Sequence, residues 1–242
     1  MDGLLILALE TASGCGSVAL TQGGRAQGRL LAEYSLYPRR SHSRQLLGLV
    51  QALLEASAVD WEAIDAVAVS QGPGSFTGLR IGMAAARGLA FAAGKPLIAV
   101  PTLDSLAASL PPLKERVCTL LDARKNQVYA AFYNTFQMDE SGMPQRLGPY
   151  LVCASASLLT RITEPVICIG PGLAVCDESF IKHPLLRPAP PAINQPRAAM
   201  IGFCAAELMR HGAQQVDPQP LYVRASEAEL NLVAQGKTGG GA

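Results

Sequence analysis

The chain has 242 residues, enough for one large domain or two small lobes, and 49% of them are hydrophobic, so a substantial core can form. Twenty basic residues face 19 acidic ones, a net charge of +1, which excludes an overall field that would draw in RNA, DNA or an anionic membrane. Six scattered cysteines, none in a CxxC pair, read as buried free thiols of a reducing compartment rather than a disulfide framework.

Asp2 stands where a signal peptide would carry basic residues, and LLILALE breaks at Glu10. The most apolar window, residues 79–100, is interrupted by Arg80, Arg87 and Lys95. No leader, no membrane partner and a cytoplasmic location are therefore expected. LLILAL at 4–9 reads as a buried strand, followed by the turn ETASGCG, the strand SVALT at 17–21, a Gly23-Gly24 turn and a third strand to about Tyr34. A helix is expected from about Ser41 to Glu55, with Ser41 or Ser43 as N-cap and Leu46, Leu47, Val50, Leu53 and Leu54 on one face. The strand IDAVAVS at 64–70 leads into GPGSFTGLRIG, which opens a second helix to about Ala93, with Gly94 as its stop. LIAV at 97–100 is another short strand.

The second half reads as a weaker copy. VCTLLDA at 117–123 and VYAAFYN at 128–134 form a hairpin around 124–127, a third strand lies near 147–152, a short helix follows Ser155, and PVICIG at 165–170 is a strand. The order β-β-β-α-β-α thus occurs twice, which predicts an α/β protein of two similar lobes facing a cleft, the order of the actin-like ATPase (ASKHA, ribonuclease H-like) fold. The first lobe is expected over 1–100, the second over 101–196. HPLLRPAPPAINQP at 183–196 reads as a proline-rich connection to a helix at about 197–212 that crosses back to the first lobe, and 225–242 as a glycine-rich tail.

A strand, a glycine turn (Gly72, Pro73, Gly74) and a helix make the geometry that presents N–H groups to phosphate. The spacing fits neither GxxxxGK[ST] nor GxGxxG. Ser75 and Thr77 read as caps of the helix they precede. Gly78, Gly82 and Ala86 recur every four residues, and each helical glycine costs about 1 kcal/mol against alanine. That cost implies another backbone close by, in the same lobe or in another chain.

The histidines, His42, His183 and His211, show no metal-ligand spacing. Glu10 and Asp122 follow the first strand of each repeat and are the carboxylates that could hold a magnesium–nucleotide. The second turn lacks glycine and carries Arg124 and Lys125, so a structural role for both acids is the stronger reading. The local basic cluster is Arg39, Arg40, His42 and Arg44, placed unfavourably at a helix start, where a phosphate or RNA contact would account for it.

LLILALETASGCGSVAL, SHSRQLL at 41–47, SQGPGSFTGLRIGMAAARGLA at 70–90, LDARKNQVYAAFY at 121–133 and PLYVR at 220–224 together resemble the bacterial TsaB (YeaZ) family over nearly the whole chain. The resemblance implies an actin-like fold and a scaffold or activator role in making threonylcarbamoyladenosine beside the anticodon of tRNA. Transfer would be carried out by a related TsaD partner, with a TsaE-like ATPase joining the complex. tRNA would be met only indirectly. A homodimer through the first-lobe helices is implied for the chain alone. No intrinsic cofactor is expected, with ATP or ADP at most at a complex interface. The expected docking residues are His42, Leu46, Gly78, Arg80, Gly82, Met83, Ala86 and Arg87. The family commonly has Asp-Thr-Ser where this chain has Glu10-Thr11-Ala12, and His-Ser-Glu where Arg44 replaces the glutamate. An actin-like ATP-binding enzyme using Glu10 and Asp122 is the alternative, followed by a peptidase of the M22 type, against which the missing metal ligands argue.

Overall fold

The computed structural model describes residues 3–37, 45–212 and 217–224. The basic cluster at 39–44 with His42, the expected caps Ser41 and Ser43, and the tail at 225–242 lie outside the described residues.

The first lobe is built on a five-stranded sheet of order β3-β2-β1-β4-β5. Its strands are β1 (Leu5–Glu10), β2 (Gly16–Gln22), β3 (Arg29–Leu36), β4 (Ala66–Gly72) and β5 (Leu97–Pro101). β1 runs antiparallel to β2 and parallel to β4, so β1 is central and covered on both faces. That explains its unbroken apolar run. Ile6 and Ala8 point toward α5 (Ala198–Arg210), while Leu7 and Leu9 point toward α1 (Leu46–Ser57) and α2 (Phe76–Ala93). Alanines 198, 199, 205 and 206 let α5 lie close on the sheet, and Gly202 meets Thr21.

The second lobe carries β11-β10-β6-β7-β8, with β9 paired to β7. These strands are β6 (Arg116–Arg124), β7 (Gln127–Met138), β8 (Pro144–Arg146), β9 (Leu151–Cys153), β10 (Val166–Ile169) and β11 (Leu186–Pro188). The short helix α4 (Glu178–Ile181) precedes β11. Between the sheets lies α3 (Thr102–Ala108), packed on β6, β7 and β8 on one side and on β4, β5 and α5 on the other. Asp104 of α3 is its polar anchor. It accepts from Tyr133 Oη at 2.6 Å and Tyr150 Oη at 2.8 Å, with Arg146 at 3.6 Å.

Four expectations change. The first helix begins at Leu46 with Gln45 as a cap that makes no side-chain bond. Leu47, expected on its buried face, is 54% exposed. The third strand of the second repeat splits into β8 and β9. The proline-rich connection contains β11, which extends the sheet parallel to β10. All six cysteines are free thiols. No helix among the described residues is long and apolar enough to cross a membrane.

Candidate functional site

The strand–glycine turn–helix forms as the sequence predicts. β4 ends at Gly72, Ser75 caps α2 by accepting from the Gly78 N–H at 3.2 Å, and Gly94 closes the helix in the left-handed conformation. Thr77, expected as a second cap, lies inside the first turn. The chain itself fills every close approach to this turn. A Cβ on Gly78 would overlap the Thr11 carbonyl oxygen, one on Gly82 the Thr11 hydroxyl, one on Gly74 the Ala12 carbonyl oxygen, and one on Gly72 the Leu221 carbonyl oxygen at 2.7 Å. Thr11 Oγ1 donates to Gly78 O at 2.9 Å, and Ser75 N donates to Ala12 O at 2.7 Å. The neighbour required by the row Gly78–Gly82–Ala86 is therefore the loop after β1, not a second helix. The glycines of this turn are thus accounted for by packing against the chain's own Thr11, Ala12 and Leu221.

Both matched acids serve their own turns. Glu10 Oε1 accepts from the Ala12 N–H, and Asp122 Oδ1 from the Arg124 N–H, each at 2.6 Å and each two residues on. Glu10 is sealed from solvent and its Oε2 has no hydrogen-bond partner. Burial pushes its carboxyl up from about 4.5 to about 7, against the pull of the Ala12 N–H. Asp122 also pairs with the Arg124 guanidinium at 3.2 Å. No group of three or more His, Cys, Asp and Glu among the described residues stands placed to hold a metal.

The expected docking residues divide. Leu46, Gly78, Gly82, Met83 and Ala86 are buried inside the first lobe and cannot line a surface. Arg80 and Arg87 hold the chain's own residues 217–224. Arg87 donates to Pro218 O at 2.6 Å and pairs with Asp217 at 3.0 Å. Arg80 donates to Tyr222 Oη at 3.3 Å and stacks over Phe76, 3.9 Å from the ring centroid. The strap is tied to β4 by Leu221 N donating to Gln71 O at 2.8 Å, and reaches the second lobe where Arg224 donates to Ala123 O at 3.3 Å.

What faces outward on α1 and α2 is a different set. Leu47 is 54% and Phe91 91% exposed, and Gly48, Gln51, Ala84 and Gly88 on the same two helices are exposed as well. Among the described residues, a Cβ on Gly48 or Gly88 would meet nothing within 4 Å. The sequence signal for these two was present, since both are glycines inside helices, but among the described residues no neighbour accounts for them. A cavity of about 590 Å³ opens beside this face, lined by Leu47, Leu54, Val59, Trp61 and Leu89.

The family described as "TsaD: tRNA N6-adenosine threonylcarbamoyltransferase" matches residues 30–232. A tRNA threonylcarbamoyladenosine biosynthesis protein TsaB of Escherichia coli is 41% identical over 57% of this chain. Its namesake in Haemophilus influenzae is 36% identical over 53%. These matched stretches span 57% and 53% of the two relatives' own lengths, about half of each. The Bacillus subtilis TsaB is 27% identical over 97% of this chain and 100% of its own length. Among solved structures, YeaZ from Pseudomonas aeruginosa superposes with a TM-score of 0.70 at 26% identity, covering 91% of this chain and 100% of that one. The two mixed sheets are thus those of the actin-like (ASKHA) fold. With the glycine turn, its Thr11 partner and the full-length match to YeaZ in view, the chain belongs to the TsaB (YeaZ) family.

Proposed function

We propose that this chain is an accessory subunit in the synthesis of threonylcarbamoyladenosine in tRNA, acting through a TsaD-type transferase rather than by chemistry of its own. The observation that carries the reading is the pair of open helical glycines, Gly48 and Gly88, on the outer face of α1 and α2. Gly88 lies in the interior of α2, where a glycine costs about 1 kcal/mol, and Gly48 in the first turn of α1. Gly78 and Gly82 meet that cost through contact with Thr11; Gly48 and Gly88 have no such neighbour among the described residues. A helix of another chain packed across Leu47, Ala84 and Phe91 would supply it. The two acids, each bonded to its own turn, support a non-catalytic role for this subunit. The names of the relatives place them in tRNA threonylcarbamoyladenosine biosynthesis, which selects the transferase as the partner. A second copy of the chain and a TsaE-like ATPase are the further partners of this reading, and any nucleotide enters with the complex.

The test is Gly88→Leu. Its side chain projects into open space, so the fold should survive while the outer helix face is blocked. Binding to the transferase measured by calorimetry should fall at least tenfold, and tRNA modification by the reconstituted set should fall with it. Unchanged binding would overturn the assignment of this face.

A further inference from the structure

One arginine ties the two lobes together. The turn joining β2 to β3 carries Arg25 and is pressed onto α5: a Cβ on Gly24 would overlap the Glu207 carboxylate, and one on Gly28 the Phe203 ring. Arg25 N donates to Glu207 Oε1 at 2.9 Å, which fixes where the side chain leaves the turn. Its Nε and Nη2 both donate to Ala108 O, at 3.2 and 3.0 Å, and so cap the C-terminal end of α3. The third nitrogen, Nη1, crosses to the second lobe and donates to Met138 Sδ at 3.5 Å, at the end of β7. Met138 is held there by the hairpin after it, where Asp139 Oδ1 accepts from the N–H groups of Ser141 and Met143 at 2.9 and 3.0 Å. A thioether is a weak acceptor, so the donation that crosses to the second lobe is the weakest of the three. Met138 is also the open methionine among the described residues. It is 44% exposed, whereas Met83 and Met143 are buried and Met200 and Met209 half-buried.

We infer that Met138 is a site of reversible oxidation, and that its sulfoxide tightens the tie between the lobes through Arg25. The oxidant is hydrogen peroxide. The sulfur attacks one peroxide oxygen, and the S–O bond forms as the O–O bond breaks. The proton on the transferred oxygen passes to the leaving one, which departs as water; sulfur gives up two electrons and the peroxide takes them. The oxygen so added is a strong acceptor on a side chain with three rotatable bonds, free to turn toward Nη1. A guanidinium bond to that oxygen is charge-assisted, about twice as strong as a neutral one. Nε and Nη2 stay on Ala108 O, so the new bond adds to the cap on α3 rather than competing with it. Methionine oxidation inside a core disrupts packing. The opposite sign is expected here, because Met138 is exposed and faces a cation. The inference goes beyond the accessory role above and is tested without the transferase, so the two fail separately.

The full chain is treated with hydrogen peroxide and then with dithiothreitol, which restores reversibly oxidised thiols and leaves methionine sulfoxide in place. Peptide mass mapping should find the sulfoxide at Met138 before Met83, Met143, Met200 or Met209. The oxidised protein should melt about 4 °C higher, the equivalent of about a tenfold shift in the folding equilibrium. Treatment with the sulfoxide reductases for both epimers should return the melt to its starting value. Met138→Leu should show no rise on oxidation, and Arg25→Ala should lose the rise as well. If Arg25→Ala does not fold, Met138→Gln decides. Its amide oxygen stands in for the sulfoxide oxygen, and it should melt higher than wild type with no oxidant present. Sulfoxide appearing first at another of these methionines would overturn the inference. So would an oxidised protein that melts at or below its starting temperature, the same rise in Met138→Leu or Arg25→Ala, or a Met138→Gln melt no higher than wild type.

Discussion

The Thr11 hydroxyl donates to the Gly78 carbonyl at 2.9 Å, and this buried bond fastens the loop after β1 to the first turn of α2. It sets a hierarchy among the glycines of one helix. A methyl group on Gly78 would run into the Thr11 backbone carbonyl, which cannot move without β1, whereas one on Gly82 would meet the Thr11 side-chain oxygen. Gly78→Ala should therefore destabilise by about 3 kcal/mol or more, and Gly82→Ala by less. Gly82→Ala combined with Thr11→Ala should recover part of the loss, a coupling that a double-mutant cycle in urea reads directly. Gly88→Ala, with open space before it, should stabilise by up to about 1 kcal/mol.

That hierarchy also marks what the sequence pattern can carry. The strand, glycine turn and helix over 66–93 can be read from an apolar β-branched run, a cluster of turn residues and a helical period ended by Gly94, all of them local signals. The neighbour of each glycine is not local. Gly78 and Gly82 differ from Gly48 and Gly88 only in what lies beyond them, and Thr11 is 67 residues from Gly78. The same applies to Arg80 and Arg87, whose partners come from residues 217–224. α3 escapes pattern reading for another reason. At seven residues it is short, and contact with both lobes buries six of the seven, leaving no polar face to reveal a period. β11 is three residues long and ends on Pro188, so the proline that suggests a loop sits at a strand edge.

Glu10 supplies a prediction with a definite sign. Its folded-state carboxyl titrates near 7, above the ordinary value near 4.5, because burial disfavours the charge. Between those values the unfolded chain loses the proton first, so stability from this group is full below about 4.5 and is lost as pH rises toward 7. The loss is on the order of 3 kcal/mol above that window. Glu10→Gln keeps an acceptor for the Ala12 N–H and carries no charge. It should flatten the fall in stability across the window and leave the protein more stable than wild type at pH 8. Urea denaturation from pH 4 to 8 measures both curves, and parallel curves would show that Glu10 is not the group responsible.

Asp104 is where α3 grips the second lobe, through two tyrosine hydroxyls and Arg146, which also stacks over the Tyr150 ring at 4.0 Å. Removing the carboxylate leaves the nearly buried Tyr133 hydroxyl without its acceptor. Asp104→Ala should cost about 3 kcal/mol, the range for breaking a buried network. Tyr133→Phe should cost about 1 kcal/mol, because Asp104 keeps Tyr150. Since α3 packs against both sheets, the loss should fall on coupling between the lobes. Calorimetry should show one transition for the wild type and a broadened or double one for Asp104→Ala.

The strap at 217–224 has two kinds of tether, and their strengths differ. The ion pair of Arg87 with Asp217 joins side chains that are 37% and 68% exposed, a setting in which water and salt leave little net stabilisation. The bond from Leu221 N to Gln71 O extends β4 by one backbone contact beside Gly72, whose φ of 109° and missing side chain let the Leu221 carbonyl come close. The backbone tether should therefore dominate. Arg87→Ala should speed hydrogen exchange at the Leu221 amide less than tenfold, and 1 M salt should erase most of that difference. Gly72→Ala should have the larger effect, because its methyl group meets Leu221 O and its φ does not suit alanine, so the strap must lift. Limited trypsin digestion reports the same event: cleavage after Arg224 should be slow in the wild type and in Arg87→Ala, and fast in Gly72→Ala. Equal protection in all three proteins would place the strap's attachment elsewhere, in the Phe76, Arg80 and Tyr222 stack.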